Sequence, residues 1–208
     1  LGAGCTPNNN YVAPIALGEG DHILRYRARD SAGNDEPIKE LLVKIDQTSP
    51  ITSHNYTLND TWTPDPQTIE LTSNDPLPSS GLNWTRYCIG TGCNPETGTD
   101  YSSPLNFNHG EYVLRFQSND NVNNYEEINE LVIRIDENTP VTSHNFTNND
   151  TWINFTTDIE LSVSDPSNTS GINWTRYCIG TGCDPSTGTD YISPVNFAEG
   201  IHHFRYQS

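Results

Sequence analysis

Hydrophobic and polar residues alternate along several short stretches of the chain. The alternation is clearest in QTIELTSND (67–75), EYVLRFQSND (111–120) and NELVIRID (129–136). In the last segment, Leu131, Ile133 and Ile135 fall on one face. A period of two with β-branched and aromatic residues is typical of half-buried strands. Clusters of Gly, Pro, Asn and Asp separate the segments, and no long segment has helical periodicity, so we predict an all-β fold.

The pattern recurs with a fixed period. NWTRYCIGTGC occupies 83–93 and, letter for letter, 173–183, and Trp62 and Trp152 are also 90 residues apart. This period exceeds that of most solenoid repeats and is about the size of a small domain that folds alone. Its several short strands predict an immunoglobulin-type β-sandwich, with successive domains arranged as beads on a string.

The period also suggests where the domains lie. Residues 1–48 align with the later half of the repeat, starting at Tyr11 and Tyr101. We therefore predict the C-terminal half of a repeat at 1–48, a complete repeat at 49–138 and the N-terminal portion of a further repeat at 139–208. Because the chain opens and stops within a repeat and contains no methionine, we expect it to be a window of a longer tandem array.

Charge and composition restrict the partners of the chain. The formal net charge is −17, and the ten Lys and Arg residues form no basic run, which argues against nucleic acid and anionic membrane surfaces. No apolar run approaches the length of a membrane span, so we expect no membrane insertion within this segment. An acidic composition rich in Asn, Thr and Ser suits an extracellular or cell-surface setting, although a soluble cytosolic protein can be as acidic.

Several motifs recur between the copies: Gly20–Arg27, Asp30–Glu36 and Val43–Asp46 in one, and Gly110–Phe116 and Ile133–Asp136 in the next. In these motifs the chain resembles the tandem immunoglobulin-like (fibronectin III-like) repeats of bacterial and archaeal surface proteins. The resemblance implies β-sandwich domains that serve as stalks, spacers, adhesins or filament subunits. DNVNNYE (120–126) lacks the glycine of DSAGNDE (30–36), so asparagines must form that turn.

The repeated cysteines Cys88 and Cys93 admit three interpretations. A disulfide across the loop IGTG is sterically easy because two glycines let the chain turn back, and it would contribute about 2 kcal/mol. A redox or nucleophilic pair would have two intervening residues at a helix start, which this segment lacks. A zinc site would need two more ligands, for which His54 and His109 are candidates.

We predict the bridges Cys88–Cys93 and Cys178–Cys183, which would place the chain in an oxidising, extracytoplasmic compartment. Cys5 aligns with Cys93, and the partner that this alignment assigns to it would precede Leu1.

Acceptor sequons for N-glycans are dense. Eight Asn-x-Ser/Thr motifs occur, at Asn55, Asn59, Asn83, Asn145, Asn149, Asn154, Asn168 and Asn173. They predict a glycosylated surface, although an Asn-rich loop that never meets a glycosyltransferase would give the same pattern. In a regular strand, Asn83 would point to the same face as Thr85 and Tyr87. If that face is the core, a glycan on Asn83 has no room, so we expect the strand to begin near Trp84 and Asn83 to lie in the preceding loop. A β-bulge would serve equally.

Other candidate chemistry is sparse. Asp46 and Asp136 lie at the junctions between repeats, where acidic groups can bind Ca²⁺ and stiffen an array; the alternative is a solvated acidic loop. The tryptophans could be core residues or sugar-stacking platforms: Trp62, Trp84, Trp152 and Trp174. No Ser-His-Asp arrangement, phosphate-binding glycine loop or separated carboxylate pair is evident, so we expect no enzymatic activity.

These observations predict a structural role. We expect a repeat module of a long secreted or cell-surface protein that forms an extracellular filament, sheath, surface layer or stalk. Its expected partners are copies of itself, through exposed sheet edges, and covalent N-glycans. The alternatives are an adhesin or carbohydrate-binding module, and a non-catalytic spacer of a secreted enzyme.

Overall fold

The computed structural model describes residues 2–154, 156–166 and 169–208. Its regular structure consists of β-strands, apart from two single 3₁₀ turns at Pro95–Thr97 and Pro185–Thr187. The predicted all-β class is therefore confirmed.

The strands follow the period of the sequence. The segment 1–48 contains β1 (Gly20–Tyr26) and β2 (Lys39–Ile45). The segment 49–138 contains β3 (Ile51–His54), β4 (Trp62–Thr63), β5 (Gln67–Ile69), β6 (Leu71–Asn74), β7 (Leu82–Ile89), β8 (Thr99–Asp100), β9 (Leu105–Phe107), β10 (Gly110–Asp120) and β11 (Asn129–Ile135). The segment 139–208 contains β12 (Val141–His144), β13 (Asp158–Ile159), β14 (Leu161–Ser164), β15 (Arg176–Ile179), β16 (Thr189–Asp190), β17 (Val195–Asn196) and β18 (Phe204–Gln207).

Equivalent strands form equivalent pairs in successive segments. The largest sheet has the order β4-β11-β10-β7-β8, in which β4 runs parallel to β11. The pairs β3-β6 and β5-β9 of segment 49–138 reappear as β12-β14 and β13-β17. The three-stranded sheet β16-β15-β18 corresponds to β8-β7-β10. Segment 1–48 contributes the antiparallel hairpin β1-β2.

Contacts divide the chain into two compact units. Unit 1 comprises residues 1–57, 69–105 and 112–132, and unit 2 comprises 58–68, 106–111 and 133–208. The core of unit 1 contains Tyr56, Ile69, Leu71, Leu114, Phe116 and Leu131, and that of unit 2 contains Phe107, Ile133, Ile135, Ile159 and Leu161. These side chains include the alternating apolar positions that the sequence predicts as buried. The domain boundaries at 48 and 138 remain a prediction.

A hydroxyl cluster occupies part of the buried interior of unit 1. Thr52 Oγ1 lies 2.6 Å from Ser118 Oγ, and Thr85 Oγ1 lies 2.8 Å from the same oxygen. The Glu126 carboxylate accepts hydrogen bonds from the backbone nitrogen and the hydroxyl of Thr52, both at 2.7 Å. Because these buried polar atoms bond to one another, the cluster avoids the cost of unpaired burial.

The start of β7 differs from the prediction. The strand begins at Leu82 and includes Asn83, so the expectation that Asn83 lies in a preceding loop is wrong. Asn119 of β10 pairs with Trp84, whereas Asp120 pairs with Leu82, and Asn83 is the extra residue between them. This β-bulge allows Asn83 to belong to the strand and still point to solvent, because the extra residue of a bulge does not follow the regular alternation of faces.

The predicted asparagine turn is present. Asn123 has a φ of 69°, in the left-handed region that Asn tolerates, and its counterpart Gly33 has a φ of 92°. The two turns therefore have related backbone conformations although one lacks glycine.

Candidate functional site: the acidic junction

Both predicted disulfides are formed. Cys88 is bonded to Cys93 with a Cα–Cα distance of 6.2 Å, and Cys178 to Cys183 with 6.1 Å. The four sulfurs are bonded to each other in pairs, so they cannot serve as zinc ligands in this state. The disulfides indicate an oxidising environment of the kind found outside the cytoplasm.

An arginine accompanies each of these loops and supports the alignment of Cys5. Arg115 donates to the carbonyl of Cys93, and Arg205, 90 residues later, donates to that of Cys183. Arg25, 90 residues earlier, donates to the carbonyl of Cys5 at 2.9 Å. Cys5 thus occupies the place of the second cysteine of the loop, and it forms no disulfide within the described residues.

Three carboxylates converge at the end of the first hairpin. Asp46 directly follows β2, Asp75 directly follows β6, and Asp120 is the last residue of β10. One carboxylate oxygen from each lies within 4.8 Å of those of the other two. We call these three residues the acidic trio. Asp120 is fully buried, and Asp46 and Asp75 are partly buried.

Neutral donors surround the acidic trio. Asp46 accepts hydrogen bonds from the backbone nitrogens of Ser80 at 2.5 Å and Thr48 at 3.1 Å. Asp120 accepts two bonds from Asn124, from its backbone nitrogen and its Nδ2. Oδ2 of Asp75 accepts from the backbone nitrogen of Gly81 at 2.9 Å, whereas its Oδ1 is buried and has no hydrogen-bond partner.

The pKa values of Asp46 and Asp75 move in opposite directions. Burial acts to raise the pKa of Asp46, but the hydrogen bonds from Ser80 and Thr48 outweigh it, and the pKa lies below its usual value. Burial also raises the pKa of Asp75, and the negative charges of Asp46 and Asp120 raise it further against the single bond from Gly81. Of these two carboxylates, Asp75 is therefore the one whose charge the surroundings compensate less.

The second junction repeats the first. Asp136 accepts from the backbone nitrogen and the hydroxyl of Ser170 at 2.7 and 2.8 Å, and Asp165 accepts from Gly171 at 2.9 Å. Oδ1 of Asp165 is again buried without a partner. Asp136 belongs to no group of three metal-ligating residues in the part of the chain that the structure describes. The two predicted calcium candidates thus share their backbone contacts.

The sequence predicts Asp46 but misses its two companions. Asp75 and Asp120 lie far from Asp46 along the chain, and strand pairing brings them together. A signal was present, because Asp75 recurs as Asp165 before a proline and Asp120 aligns with Asp30.

The sequons lie on the surface wherever the structure describes them. Seven of the eight predicted asparagines are exposed, and Asn168 lies outside the described residues. Asn55 and Asn145 each use Oδ1 to accept a backbone hydrogen bond, from Glu70 and Glu160 respectively. A glycan attaches to Nδ2 rather than to Oδ1, so this bond is compatible with glycosylation. Nδ2 of Asn145 also donates to the carbonyl of Asp158 at 3.1 Å, and a glycosylated Nδ2 keeps one hydrogen for such a bond.

The tryptophans do not form one common surface. Trp84 contacts Tyr125 edge-on, and the Arg86 guanidinium lies 4.6 Å from its ring centroid. Arg176 covers Trp174 in the same manner at 4.9 Å. Trp62 is partly buried in β4, whereas Trp152 is 81% exposed. A role in sugar stacking remains a prediction.

Comparison with known proteins adds no assignment. No family model, no curated protein and no solved structure matches the chain. The resemblance to surface-protein repeats therefore remains a prediction. Across residues 2–154, 156–166 and 169–208, no helix has the length and apolar character that crossing a bilayer requires.

Proposed function

We propose that this chain is a structural repeat module of a long secreted or cell-surface protein, built from immunoglobulin-like β-sandwich domains of about 90 residues. It would supply the material of an extracellular filament, sheath, surface layer or stalk and would carry out no catalysis. The observation that carries the proposal is the repetition of one contact. Asp46 bonds the backbone of Ser80, and Asp136 bonds that of Ser170, in both cases 34 residues further along the chain.

Each of these bonds links the end of one sequence repeat to a loop of the next. Pro50 follows Asp46, and Pro140 follows Asp136, at the same interval. A carboxylate tether beside a proline restricts the bending of the connecting segment. A restriction repeated with the period of the sequence gives successive domains a regular spacing, which is what a filament or stalk requires.

Two further features support an extracellular structural role. The disulfide loops recur once per repeat, and the sequons expose seven asparagines for N-glycans. Short exposed strands offer edges through which copies of the chain can pair. We propose copies of itself and covalent N-glycans as the partners.

Electron microscopy of the protein purified from cells that make it tests the proposal. We expect ordered assemblies with a bead spacing of roughly 30–40 Å, the length of a seven-residue strand at ~3.3 Å per residue plus its loops. Compact particles without regular beads would contradict a structural array. Single flexible strings attached to a larger domain would identify a stalk.

A variant tests the tether itself. The double substitution Asp46→Ala and Asp136→Ala removes both tethers, and we expect a wider spread of angles between neighbouring beads. The control of equal charge removes two exposed carboxylates, Asp65→Ala together with Glu127→Ala, and should leave the angles unchanged. An unchanged spread in the double variant would show that the carboxylates do not set the spacing.

A further inference from the structure

Charge compensation in the acidic trio is incomplete. Every ion pair that the described residues form within 4.0 Å lies elsewhere in the molecule, so no Lys, Arg or His nitrogen neutralises Asp46, Asp75 or Asp120. Asp120 is 0% exposed. A buried carboxylate without a counter-charge is costly, and like charges at this distance add to that cost. The group therefore requires either a cation or a shared proton.

A second observation points to a missing ligand. Oδ1 of Asp75 has almost no contact with solvent and accepts no hydrogen bond, although the carboxylate belongs to the acidic trio. Buried carboxylate oxygens are normally satisfied, so this oxygen can take a partner that is not part of the chain. Oδ1 of Asp165 is in the same state, but among the described residues only Asp75 also belongs to a group of three carboxylates. The hydrogen bonds to Ser80, Gly81 and Asn124 occupy the other oxygens without neutralising them.

The geometry suits one class of ion. Oxygen atoms that share one Ca²⁺ at about 2.4 Å lie at most about 4.8 Å apart, which is the limit within which the acidic trio falls. Carboxylate oxygens without nitrogen or sulfur ligands favour Ca²⁺ or Mg²⁺ over Zn²⁺. Ca²⁺ accepts irregular coordination completed by water, whereas Mg²⁺ requires a near-octahedral site, so Ca²⁺ fits better.

We propose that Asp46, Asp75 and Asp120 form a Ca²⁺ site. Asp46 would provide the ligand that precedes the next repeat, and Asp75 and Asp120 would provide the ligands from within that repeat. Binding would fix the segment after β2 to the loop after β6 and the end of β10. This effect on the junction rests on the proposed structural function, whereas Ca²⁺ binding itself does not.

Calorimetric titration of the 208-residue chain, after treatment with a chelator at neutral pH, tests the site. We expect one Ca²⁺ per chain with a Kd on the order of 10⁻⁴ M, as in extracellular modules, and at least tenfold weaker binding of Mg²⁺. A folded chain that binds no Ca²⁺ at millimolar concentration would overturn the proposal and identify a shared proton as the compensating charge.

Two matched variants locate the ion. Asp75→Asn keeps the shape of the side chain and removes one charge, and we expect Ca²⁺ affinity to fall at least tenfold. Asp165→Asn removes the equivalent carboxylate 90 residues later, which belongs to no such group of three in the described part of the chain, and should leave the affinity unchanged. Equal losses in both variants, or no loss in Asp75→Asn, would contradict the assignment.

Melting temperatures with and without Ca²⁺ distinguish the loss of the ion site from a folding defect in Asp75→Asn. Because Asp75 lies beside two carboxylates, Asp75→Asn should raise the melting temperature in chelator while abolishing the further rise that Ca²⁺ gives the unmodified chain. A rise with Ca²⁺ that survives in this variant would place the ion elsewhere. Ca²⁺ binding without any change in bead angles by microscopy would leave the site intact and refute only its mechanical role.

Discussion

The hairpin of segment 1–48 and its counterpart in segment 49–138 have closely similar sequences but different surroundings. Phe116 is 1% exposed and Leu131 5%, whereas the equivalent Tyr26 and Leu41 are 46% and 50% exposed. Both segments nevertheless form paired strands at equivalent positions. The alternation of residues thus determines pairing locally, while burial depends on the strands that face the hairpin. In segment 49–138, for example, the His54 ring contacts Phe116 edge-on at 6.0 Å.

The largest expected difference is in the core. Phe116→Ala should lower the free energy of unfolding by about 3–5 kcal/mol, because it removes a fully buried ring. Tyr26→Ala, at the equivalent position, should cost less than about 1 kcal/mol because the ring is half exposed. Urea unfolding followed by tryptophan fluorescence measures both. Equal losses would mean that segment 1–48 is packed in solution against a surface other than the one described.

The disulfides should give the opposite result, with equal effects in both contexts. Replacing Cys88 and Cys93 by Ser should lower the free energy of unfolding by about 2 kcal/mol, since the loop entropy of the unfolded chain depends only on loop length. Replacing Cys178 and Cys183, with the same sequence separation of 5, should cost the same. Differential scanning calorimetry of the two variants makes the comparison, and a clear inequality would show that the folded surroundings also contribute.

The smallest expected effect is the pH dependence at the second junction. Burial tends to raise the pKa of Asp136, but the hydrogen bonds from Ser170 and Asn138 outweigh it, so the pKa lies below its usual value. A carboxyl group with a lowered folded-state pKa stabilises the fold above its unfolded pKa and loses this contribution as pH falls through the folded value. The loss should begin below about pH 4.

Chemical unfolding between pH 7 and pH 2 measures this loss. In Asp136→Asn, the unfolding free energy should be lower at neutral pH and should fall less steeply in the acid range. An acid-range slope identical to that of the unmodified chain would show that Asp136 contributes nothing to the pH dependence.

The parts of the structure that were predictable depend on neighbours along the chain. The strands around Ile69, Leu114 and Ile133 follow from a period of two, and each disulfide follows from two cysteines around a glycine loop. The bulge at Asn83 required knowledge of the opposite strand, since the register shift lies between Asn119 and Asp120. The acidic trio required the arrangement of three strand ends, because Asp46 and Asp120 lie on different hairpins.

The position of the disulfides has a mechanical consequence. Five residues stretched at ~3.4 Å each would span about 17 Å, and the Cys88–Cys93 bridge holds its Cα atoms 6.2 Å apart. The bridge therefore shortens the fully extended length of a repeat by only about 11 Å, out of roughly 300 Å for 90 residues. Under tension, a repeat would still release nearly all of its length while its cysteine loop stayed closed. Such a chain can dissipate a pull by unfolding and then refold without having broken a covalent bond.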